Sequence, residues 1–351
     1  MTMQERGLRN MQITEAIARL VDRRALDERE AEQALTLVLE GDTTPAQTAA
    51  FLVALRMKGE TIAEITGFAK AMRAKAIPVR TERRDLVDIS GTGGDYARTF
   101  NNSTTAAFVV AGAGAAVAKH VDRSASSQCS SADLLEHLGI CLDLDPEQIA
   151  RCIDELGIGF LYAPRLHPSL TYVKEARRDL GVHTVFDVLA PLANPAGAEA
   201  RVLGVYAGAL TELLVGVLRV LGARSAYVVH GADGMDEFST TGVNKVSRLD
   251  EGVITTFALD SLEADLPRAS LHELAGGDVK TNSAIAQAIL SGERGAKRDI
   301  VVWNAAVALS AAGIADDWKD GVGKAADAID SGAARQKLED LIALTQRLRN
   351  E

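Results

Sequence analysis

The sequence is poor in cysteine, in aromatic residues and in long apolar runs. Its three cysteines, Cys129, Cys141 and Cys152, show no metal-type spacing and no disulfide framework, which favours a reducing compartment. No apolar run reaches the roughly 18 residues that a membrane helix needs. The N-terminal segment lacks the apolar centre of a signal peptide. We therefore expect a cytoplasmic protein that does not bind a membrane.

Positive charge is also scarce. The 351 residues include 38 lysines and arginines against 48 aspartates and glutamates, which gives a formal net charge of −10. This balance argues against a protein that binds nucleic acid. With 47% hydrophobic and 25% charged residues, the composition is that of a globular chain long enough for about two domains.

The first part of the chain has the pattern of a helical domain. Thr44-Pro45 provides an N-cap followed by proline at the first helical position, and Thr61 caps the next helix. The continuation Ala49–Leu55 is apolar almost all round, as in a helix that is buried or lies in a subunit interface. Ile77-Pro78 marks the end of this region. We predict a helical domain over residues 1–79, with the capped helix of residues 168–181 packed on it.

From residue 80 to residue 351, short β-type runs alternate with helical segments such as Thr211–Leu221. The runs are Leu86–Ile89, Ala115–Lys119, Val202–Val205, Ala226–Val229 and Val253–Phe257. This alternation predicts an α/β domain with a mainly parallel central sheet.

Three segments suited to phosphate follow one another after the first of these strands. In the turn Gly91–Asp95, glycines let backbone N–H groups approach an anion without an intervening Cβ. Ser103 and Thr104 then open a helix, whose positive end favours anions. Lys119 adds a cation, and the segment containing Ser126 and Ser127 adds hydroxyl donors. Together they predict a site for a phosphorylated sugar that binds with magnesium.

These motifs resemble those of the anthranilate phosphoribosyltransferase family. The resemblance covers nearly the whole chain and includes Phe51–Thr61, the Gly91–Asp95 turn, Ser131–Glu136, Leu192–Pro195, Val229–Gly231, Asp236-Glu237 and Gly276–Asp278. It implies a small helical domain and a large α/β domain like that of the nucleoside phosphorylases. It also implies phosphoribosyl pyrophosphate (PRPP) as donor, Mg²⁺ as metal and a homodimer. The implied reaction transfers 5-phosphoribose to the amine of anthranilate and releases pyrophosphate, a step of tryptophan biosynthesis.

The resemblance also implies roles for individual residues. The residues that would bind PRPP are Gly91, Thr92, Gly93, Gly94, Asp95, Thr99, Asn101, Ser103, Thr104, Lys119, Ser126 and Ser127. Magnesium would be held by Ser103, Asp236 and Glu237, oxygen ligands of the kind that Mg²⁺ prefers. The acceptor would contact Gly91, His120, Asp122, Arg177, Ala190 and Pro191. His120 is the candidate catalytic residue, and Arg177 would bind the acceptor carboxylate.

The acceptor segments depart from the family pattern. His120-Val121-Asp122-Arg123 stands where the family has His-Gly-Asn-Arg, and Phe186–Pro191 contains Asp187 and Ala190 where the family has Asn and Gly. An ionised Asp122 would repel an acceptor carboxylate, and Val121 would be strained if its position required a positive φ. The sequence thus leaves open anthranilate, a different small aromatic or heteroaromatic acceptor, nucleoside phosphorolysis and a non-catalytic binding protein on the same fold.

Overall fold

The computed structural model describes residues 11–95, 97–123 and 128–351, which form two compact units. One unit consists of the chain up to Ala76 together with His167–Ala193, and the other of Ile77–Leu166 and Asn194–Glu351. In chain order the helices are α1 (Ile13–Val21), α2 (Glu28–Glu40), α3 (Pro45–Lys58), α4 (Ile62–Lys75), α5 (Asn102–Gly112), α6 (Ser131–His137), α7 (Pro146–Leu156), α8 (Ala163–Leu166), α9 (Thr171–Leu180), α10 (Val185–Leu192), α11 (Leu210–Val220), α12 (Val279–Leu290), α13 (Ala296–Ala312), α14 (Trp318–Asp330) and α15 (Ala333–Leu348). The strands are β1 (Leu86–Gly91), β2 (Ala116–Val121), β3 (Ile158–Tyr162), β4 (Ala200–Gly204), β5 (Ser225–His230), β6 (Asn244–Asp250) and β7 (Val253–Leu259).

The first unit is helical. Thr44 and Thr61 cap α3 and α4 by accepting hydrogen bonds from backbone N–H groups three residues on, as their sequences predict. The core includes an edge-to-face contact between Phe51 and Phe68, with ring centroids 5.8 Å apart. Helix α9 packs on α2 and α3. Helix α10 also belongs to this unit, where Arg73 Nε donates to the carbonyl oxygen of Leu192 at 2.9 Å. The sequence predicts instead that residues 80–351 form the α/β domain.

The apolar helix α3 has two different faces. Phe51, Leu52 and Leu55 are buried in the core of their own unit. Val53 and Met57 are exposed, and with Ala46 and Ala50 they form a stripe at helical spacing. Only one face of this apolar helix is therefore buried within its own unit, and the stripe on the other face is exposed to solvent.

The second unit is built on a seven-stranded sheet in the order β3-β2-β1-β4-β5-β6-β7. Strands β1 to β5 pair in parallel, and β6 and β7 pair antiparallel with their neighbours. The structure thus confirms a mainly parallel sheet. Strands β3 and β6 are not among the runs predicted from sequence: β3 contains Gly159, and β6 carries the charged residues Lys245, Arg248 and Asp250.

The parallel pairing brings the ends of neighbouring strands together. Strands β1, β4 and β5 are adjacent and end at Gly91, Gly204 and His230, so the loops that follow them meet at one edge of the sheet. Helix α13 is buried almost all round, because it packs against α5, β1 and β4. None of the helices in the described ranges is long and apolar enough to cross a membrane.

Candidate active site

The glycine turn follows β1 at the centre of the sheet. Thr92 N donates to the carbonyl oxygen of Gly204 at 3.0 Å, which continues the pairing of β1 with β4 by one residue. Gly93 and Gly94 then have φ values of 69° and 76°. These left-handed conformations are accessible to glycine at little cost, and they let the chain reverse direction immediately after the strand. The turn is therefore formed by backbone geometry that a side chain at either position would strain.

The acidic segment after β5 lies against this turn. Asp236 Oδ2 accepts a hydrogen bond from Gly93 N at 2.6 Å. The approach is so close that a Cβ at Gly91 would lie 2.2 Å from Asp236 Oδ2. A Cβ at Gly204 would lie 1.5 Å from the carbonyl oxygen of Asp236. The absence of side chains at the ends of β1 and β4 thus allows the acidic segment to reach the glycine turn.

The second carboxylate of the pair binds the start of helix α5. Glu237 Oε1 accepts from Ser103 N, and Glu237 Oε2 accepts from Asn102 Nδ2, both at 2.9 Å. A carboxylate is stabilised there because the first N–H groups of a helix have no partner within the helix. Through these contacts the acidic pair joins the glycine turn and the helix start, two of the predicted phosphate segments.

Lys119 contacts residues of the same site. Its Nζ donates to the carbonyl oxygen of Ile89 and lies 3.3 Å from Ser103 Oγ. Burial lowers the pKa of Lys119, and the negative charges of Asp88, Glu237 and Asp236 oppose that shift. The amino group of Lys119 is thus held against the strand that leads into the turn, beside the hydroxyl of Ser103.

Both carboxyl groups of the acidic pair have raised pKa values. Burial raises the pKa of Asp236 to about 8, and the charges of Asp95 and Glu237 add to this effect. Burial likewise raises the pKa of Glu237 to about 7, against the hydrogen bonds from Asn102 and Ser103. Ionisation of these carboxyl groups is therefore costly in the protein alone, and a cation bound beside them would favour the ionised form.

The donor atoms of this site fit Mg²⁺. Within the described ranges no three His, Cys, Asp or Glu side chains are grouped so that they could hold a metal by themselves. The site instead offers the carboxylates of Asp236 and Glu237 together with the hydroxyl of Ser103. Mg²⁺ is commonly bound in this way, by one or two carboxylates with substrate phosphates and water completing the shell.

The other residues predicted to bind PRPP also belong to the α/β unit. Thr99 forms an isolated β-bridge with Ala275. Asn101 Nδ2 donates to the carbonyl oxygen of Cys129, and Asn101 Oδ1 accepts from Asn282 Nδ2. Thr104 is buried in the first turn of α5. Ser126 and Ser127 lie outside the described residues.

His120 follows Lys119 on β2 and is held by a buried network around Asp88. Asp88 accepts hydrogen bonds from His120 N at 3.3 Å and from Asn194 Nδ2 at 2.8 Å, and it pairs with Arg201 at 3.0 Å. Burial lowers the pKa of His120 to about 4, with the charges of Lys119 and Arg201 contributing. The imidazole is therefore neutral at pH 7 and able to accept a proton or a hydrogen bond.

The departures after His120 are accommodated without backbone strain. Val121 is the last residue of β2 and pairs with Tyr162, and its φ is not positive. Valine therefore carries no left-handed penalty in this chain. Asp122 is exposed and accepts from Arg123 N at 2.7 Å. The Arg123 guanidinium binds Asp133 at 2.6 Å and Glu136 at 2.8 Å.

Three of the predicted acceptor residues belong to the helical unit. Arg177 lies in the last turn of α9, where its Nη2 donates to Asp187 Oδ1 at 2.8 Å and its guanidinium lies over the Phe186 ring. Ala190 and Pro191 lie in the last turn of α10, where Pro191 is buried and Ala190 is partly buried. Arg177, the residue predicted to bind the acceptor carboxylate, is thus already paired with Asp187 of its own unit.

Several residues of the site are not identified by sequence reasoning. Gly204 is one, because its role depends on the approach of a loop from a distant strand. Asn304 of α13 is another: its Oδ1 accepts from Phe238 N at 3.0 Å, and its Nδ2 donates to the carbonyl oxygen of Phe238 at 2.8 Å. These bonds fix the backbone directly after Glu237. Asn304 is the one polar residue in the apolar stretch 300–309 of α13, and this is the signal that could have found it.

Comparison with known proteins identifies the family. Residues 14–76 match the model described as "Glycosyl transferase family, helical bundle domain", and residues 83–335 match "Glycosyl transferase family, a/b domain". The anthranilate phosphoribosyltransferase of Moorella thermoacetica is 53% identical over 93% of this chain and 96% of its own length. This chain belongs to the anthranilate phosphoribosyltransferase family.

Solved structures of family members share this fold. The enzyme from Thermus thermophilus is 42% identical, with a TM-score of 0.90 over 94% of this chain and 99% of its own. The Saccharomyces cerevisiae family member, solved in complex with PRPP and Mg, is 28% identical, with a TM-score of 0.87 over 95% of this chain and 98% of its own. The sequence-based recognition of the family, and of the helical plus α/β fold, is confirmed.

Proposed function

We propose that this protein transfers the 5-phosphoribosyl group of PRPP to the amine of anthranilate and releases pyrophosphate. The observation that carries the proposal is the contact of Asp236 with the glycine turn and of Glu237 with the start of α5. These contacts support the proposal because they join the acidic pair to the glycine turn and to the helix start. The names of the family members, and the PRPP and Mg present in the yeast structure, support the same reaction.

The donor pyrophosphate would bind at the glycine turn and at the start of α5. Backbone N–H groups of the turn and the positive end of the helix favour an anion there. Lys119, whose Nζ lies 3.3 Å from Ser103 Oγ, would donate hydrogen bonds to the same pyrophosphate. Departure leaves positive charge on the ribose and collects negative charge on the leaving group. The residues of this site would therefore accelerate the reaction mainly by stabilising the leaving group.

Mg²⁺ would be held by Ser103, Asp236 and Glu237 and would supply positive charge to the pyrophosphate oxygens. The chain's own contribution is to fix these ligands. Gly93 N, Ser103 N and Asn102 Nδ2 each donate to one of the carboxylates, so both side chains are oriented before any ligand binds. Ligands preorganised in this way cost less entropy when the metal and substrate arrive.

The acceptor amine needs alignment with the ribose more than it needs a strong base. An aryl ammonium formed by attack loses its proton readily. His120 is neutral at pH 7, since burial lowers its pKa to about 4, so it can accept a hydrogen bond or a proton from the amine. Following the family resemblance, we propose that the acceptor contacts Gly91, His120, Asp122, Arg177, Ala190 and Pro191. Alignment of the reacting groups supplies much of the rate.

A second candidate function is transfer to a different small aromatic or heteroaromatic acceptor. The pairing of Arg177 with Asp187 favours it, because the arginine that would bind the anthranilate carboxylate already contacts a carboxylate. Asp122 adds a further negative charge on the α/β unit. The donor residues are the same in both cases, so the two functions differ only in the acceptor.

The protein would act as a homodimer in the cytoplasm. The exposed α3 stripe of Ala46, Ala50, Val53 and Met57 is apolar, and its occupant would be a second copy of this chain. The family resemblance implies a homodimer, and we place its contact at this stripe. The three cysteines form no disulfide in the described residues, which is the state expected in a reducing compartment.

The experiment that tests the assigned site measures PRPP binding and pyrophosphate release with and without Mg²⁺. In the Asp236→Asn/Glu237→Gln variant we expect Mg²⁺ to stop tightening PRPP binding and turnover to fall at least about 10²-fold, in line with the loss of one electrostatic stabiliser. Asp233→Asn is the matched control, because Asp233 is an exposed acid three residues upstream with a φ of 59°, which asparagine tolerates. Equal Mg²⁺ dependence in all three proteins would remove the acidic pair from the site.

A further inference from the structure

The pairing of Arg177 with Asp187 is a local feature of the helical unit. Arg177 lies in the last turn of α9, and Asp187 lies in the first turn of α10. One nitrogen of the guanidinium, Nη2, donates to Asp187 Oδ1 at 2.8 Å. The flat guanidinium also lies over the ring of Phe186, with its central carbon 5.5 Å from the ring centroid. The arginine is therefore held by one carboxylate oxygen and one aromatic face.

Asp187 cannot turn away from Arg177 without losing other bonds. Its second oxygen, Oδ2, accepts from Thr184 N at 2.9 Å, a bond that caps the start of α10. The same oxygen lies 3.2 Å from His183 Nδ1. Only 18% of the Asp187 side chain is exposed. The carboxylate is thus a fixed part of the helix cap and keeps its position when a ligand approaches the arginine.

The remaining donors of Arg177 define what can bind beside Asp187. A guanidinium has five N–H groups, and Asp187 uses one of them. A second planar group can therefore still accept from the other N–H groups. A carboxylate in that position would lie close to Asp187 and be repelled by it. A carboxamide would accept the same hydrogen bonds through its oxygen without that repulsion, and its N–H could donate to a carboxylate.

We propose that Asp187 is a specificity-determining residue for the acceptor. It fixes the plane of Arg177 and offsets its charge, so that the site favours a neutral ortho-carboxamide aniline over the anionic ortho-carboxylate more than an uncharged residue would. This inference rests on the proposed phosphoribosyl transfer to an aromatic amine. Asparagine, which the family pattern has here, would keep the shape and the cap acceptor of Asp187 and remove the charge.

The test compares two ligands of the same shape. The dissociation constants of anthranilate and of 2-aminobenzamide are measured by calorimetry on the full-length protein with Mg²⁺ and pyrophosphate, where no turnover occurs. In Asp187→Asn we expect the preference for anthranilate over the amide to rise about fourfold or more, the effect of one charge a few ångströms away in a well-hydrated site. Asp179→Asn is the matched control, since it removes an exposed carboxylate that pairs with Arg178 on α9, the helix of Arg177.

A double-mutant comparison shows whether the effect acts through Arg177. In an Arg177→Gln background, Asp187→Asn should leave the ligand preference unchanged. If Asp187→Asn does not fold, Arg177→Gln alone is informative, because it should weaken binding of both ligands by similar factors. A loss for anthranilate about tenfold greater than for the amide would overturn the proposal. So would an unchanged preference in folded Asp187→Asn, or a shift that persists without Arg177.

Turnover assays separate this inference from the proposed function. A shifted binding preference without pyrophosphate release from PRPP and anthranilate would support the role of Asp187 and contradict the proposed reaction. Turnover with an unshifted preference would do the reverse. Failure of the wild type and of the variant to bind either ligand would contradict both.

Discussion

The carbonyl oxygen of Asp236 lies so close to the backbone of Gly204 that a Cβ on Gly204 would be 1.5 Å away from it. This contact links the end of β4 to the acidic segment that follows β5. The segment in turn contacts the glycine turn through the hydrogen bond from Gly93 N to Asp236 Oδ2. A glycine outside the recognised motif therefore determines where the acidic pair lies.

Gly204→Ala should displace the acidic segment and impair the site. We expect a loss of about 1–3 kcal/mol in the free energy of unfolding, typical of overpacking, and a loss of the Mg²⁺ dependence of PRPP binding. Denaturant unfolding and PRPP titrations measure the two effects. Gly323→Ala is the control, because a Cβ there meets no atom within 4 Å and Gly323 lies within helix α14. Unchanged PRPP binding in Gly204→Ala would show that this contact does not position the pair.

Asn304→Leu should loosen the same segment from its other side. The side chain of Asn304 satisfies both the N–H and the C=O of Phe238, and leucine of similar size would leave both buried groups without those bonds. We expect about 2–4 kcal/mol of destabilisation, the cost of two unsatisfied buried groups, with a raised KM for PRPP. Ser310→Ala is the comparison, because Ser310 lies on the same helix as Asn304 and the variant removes its one hydrogen bond to Tyr227 of β5. Equal kinetic effects of the two variants would contradict a specific role for Asn304.

His120 should make the protein sensitive to mild acid. The pKa of His120 is lowered from its ordinary value of 6.5 to about 4 in the folded protein. The unfolded chain therefore binds a proton more tightly than the folded protein does. As a result, the free energy of unfolding falls as the pH drops from 6.5 towards 4. Between pH 7 and pH 5 the wild type should lose about 2 kcal/mol more than His120→Gln. Urea unfolding at both pH values measures the difference. Identical losses in the two proteins would mean that His120 is protonated in the folded state at pH 5.

The same variant tests the chemical role of His120. We expect His120→Gln to lower the rate of pyrophosphate release moderately, because alignment and leaving-group stabilisation carry most of the catalysis. A fall beyond about 10⁴-fold, the upper end for acid–base assistance, would show that His120 is an essential base. The kcat measured in saturating acceptor separates this effect from acceptor binding.

Met57→Glu should disrupt the homodimer. Met57 is 72% exposed within the apolar α3 stripe, so a charge there would be buried against the second copy. Light scattering at micromolar concentration should show a dimer for the wild type and a monomer for the variant. Val220→Glu is the matched control, since Val220 is a 48% exposed residue on the α/β unit. A wild-type monomer, or a dimer unaffected by Met57→Glu, would contradict the proposal.

The sequence predicts local elements of this protein well and long-range contacts poorly. The glycine turn after Leu86–Ile89 is visible because strand, turn and helix follow one another in the chain. The caps at Thr44 and Thr61 are visible because they depend on residues three positions apart. Each of these features depends on interactions within a few residues, and for that reason the family and the fold could be recognised.

The missed features depend on residues that the chain brings together only on folding. The role of Gly204 depends on a loop 32 residues later, and that of Asn304 on a backbone 66 residues earlier. Strain at Val121 could not be judged without its backbone conformation, which is an ordinary strand. The pairing of Arg177 with Asp187 crosses the turn between α9 and α10, where a sequence motif gives no side-chain geometry.

The most direct test of the account is the stoichiometry of the reaction with PRPP, Mg²⁺ and anthranilate. Anthranilate consumption is followed by its fluorescence, and pyrophosphate is measured in parallel. The molecular mass of the product is determined by mass spectrometry. The account predicts one pyrophosphate released for each anthranilate consumed, with a single product heavier by one phosphoribosyl group. Pyrophosphate release that requires a different aromatic amine, or no release with any amine tested, would contradict it.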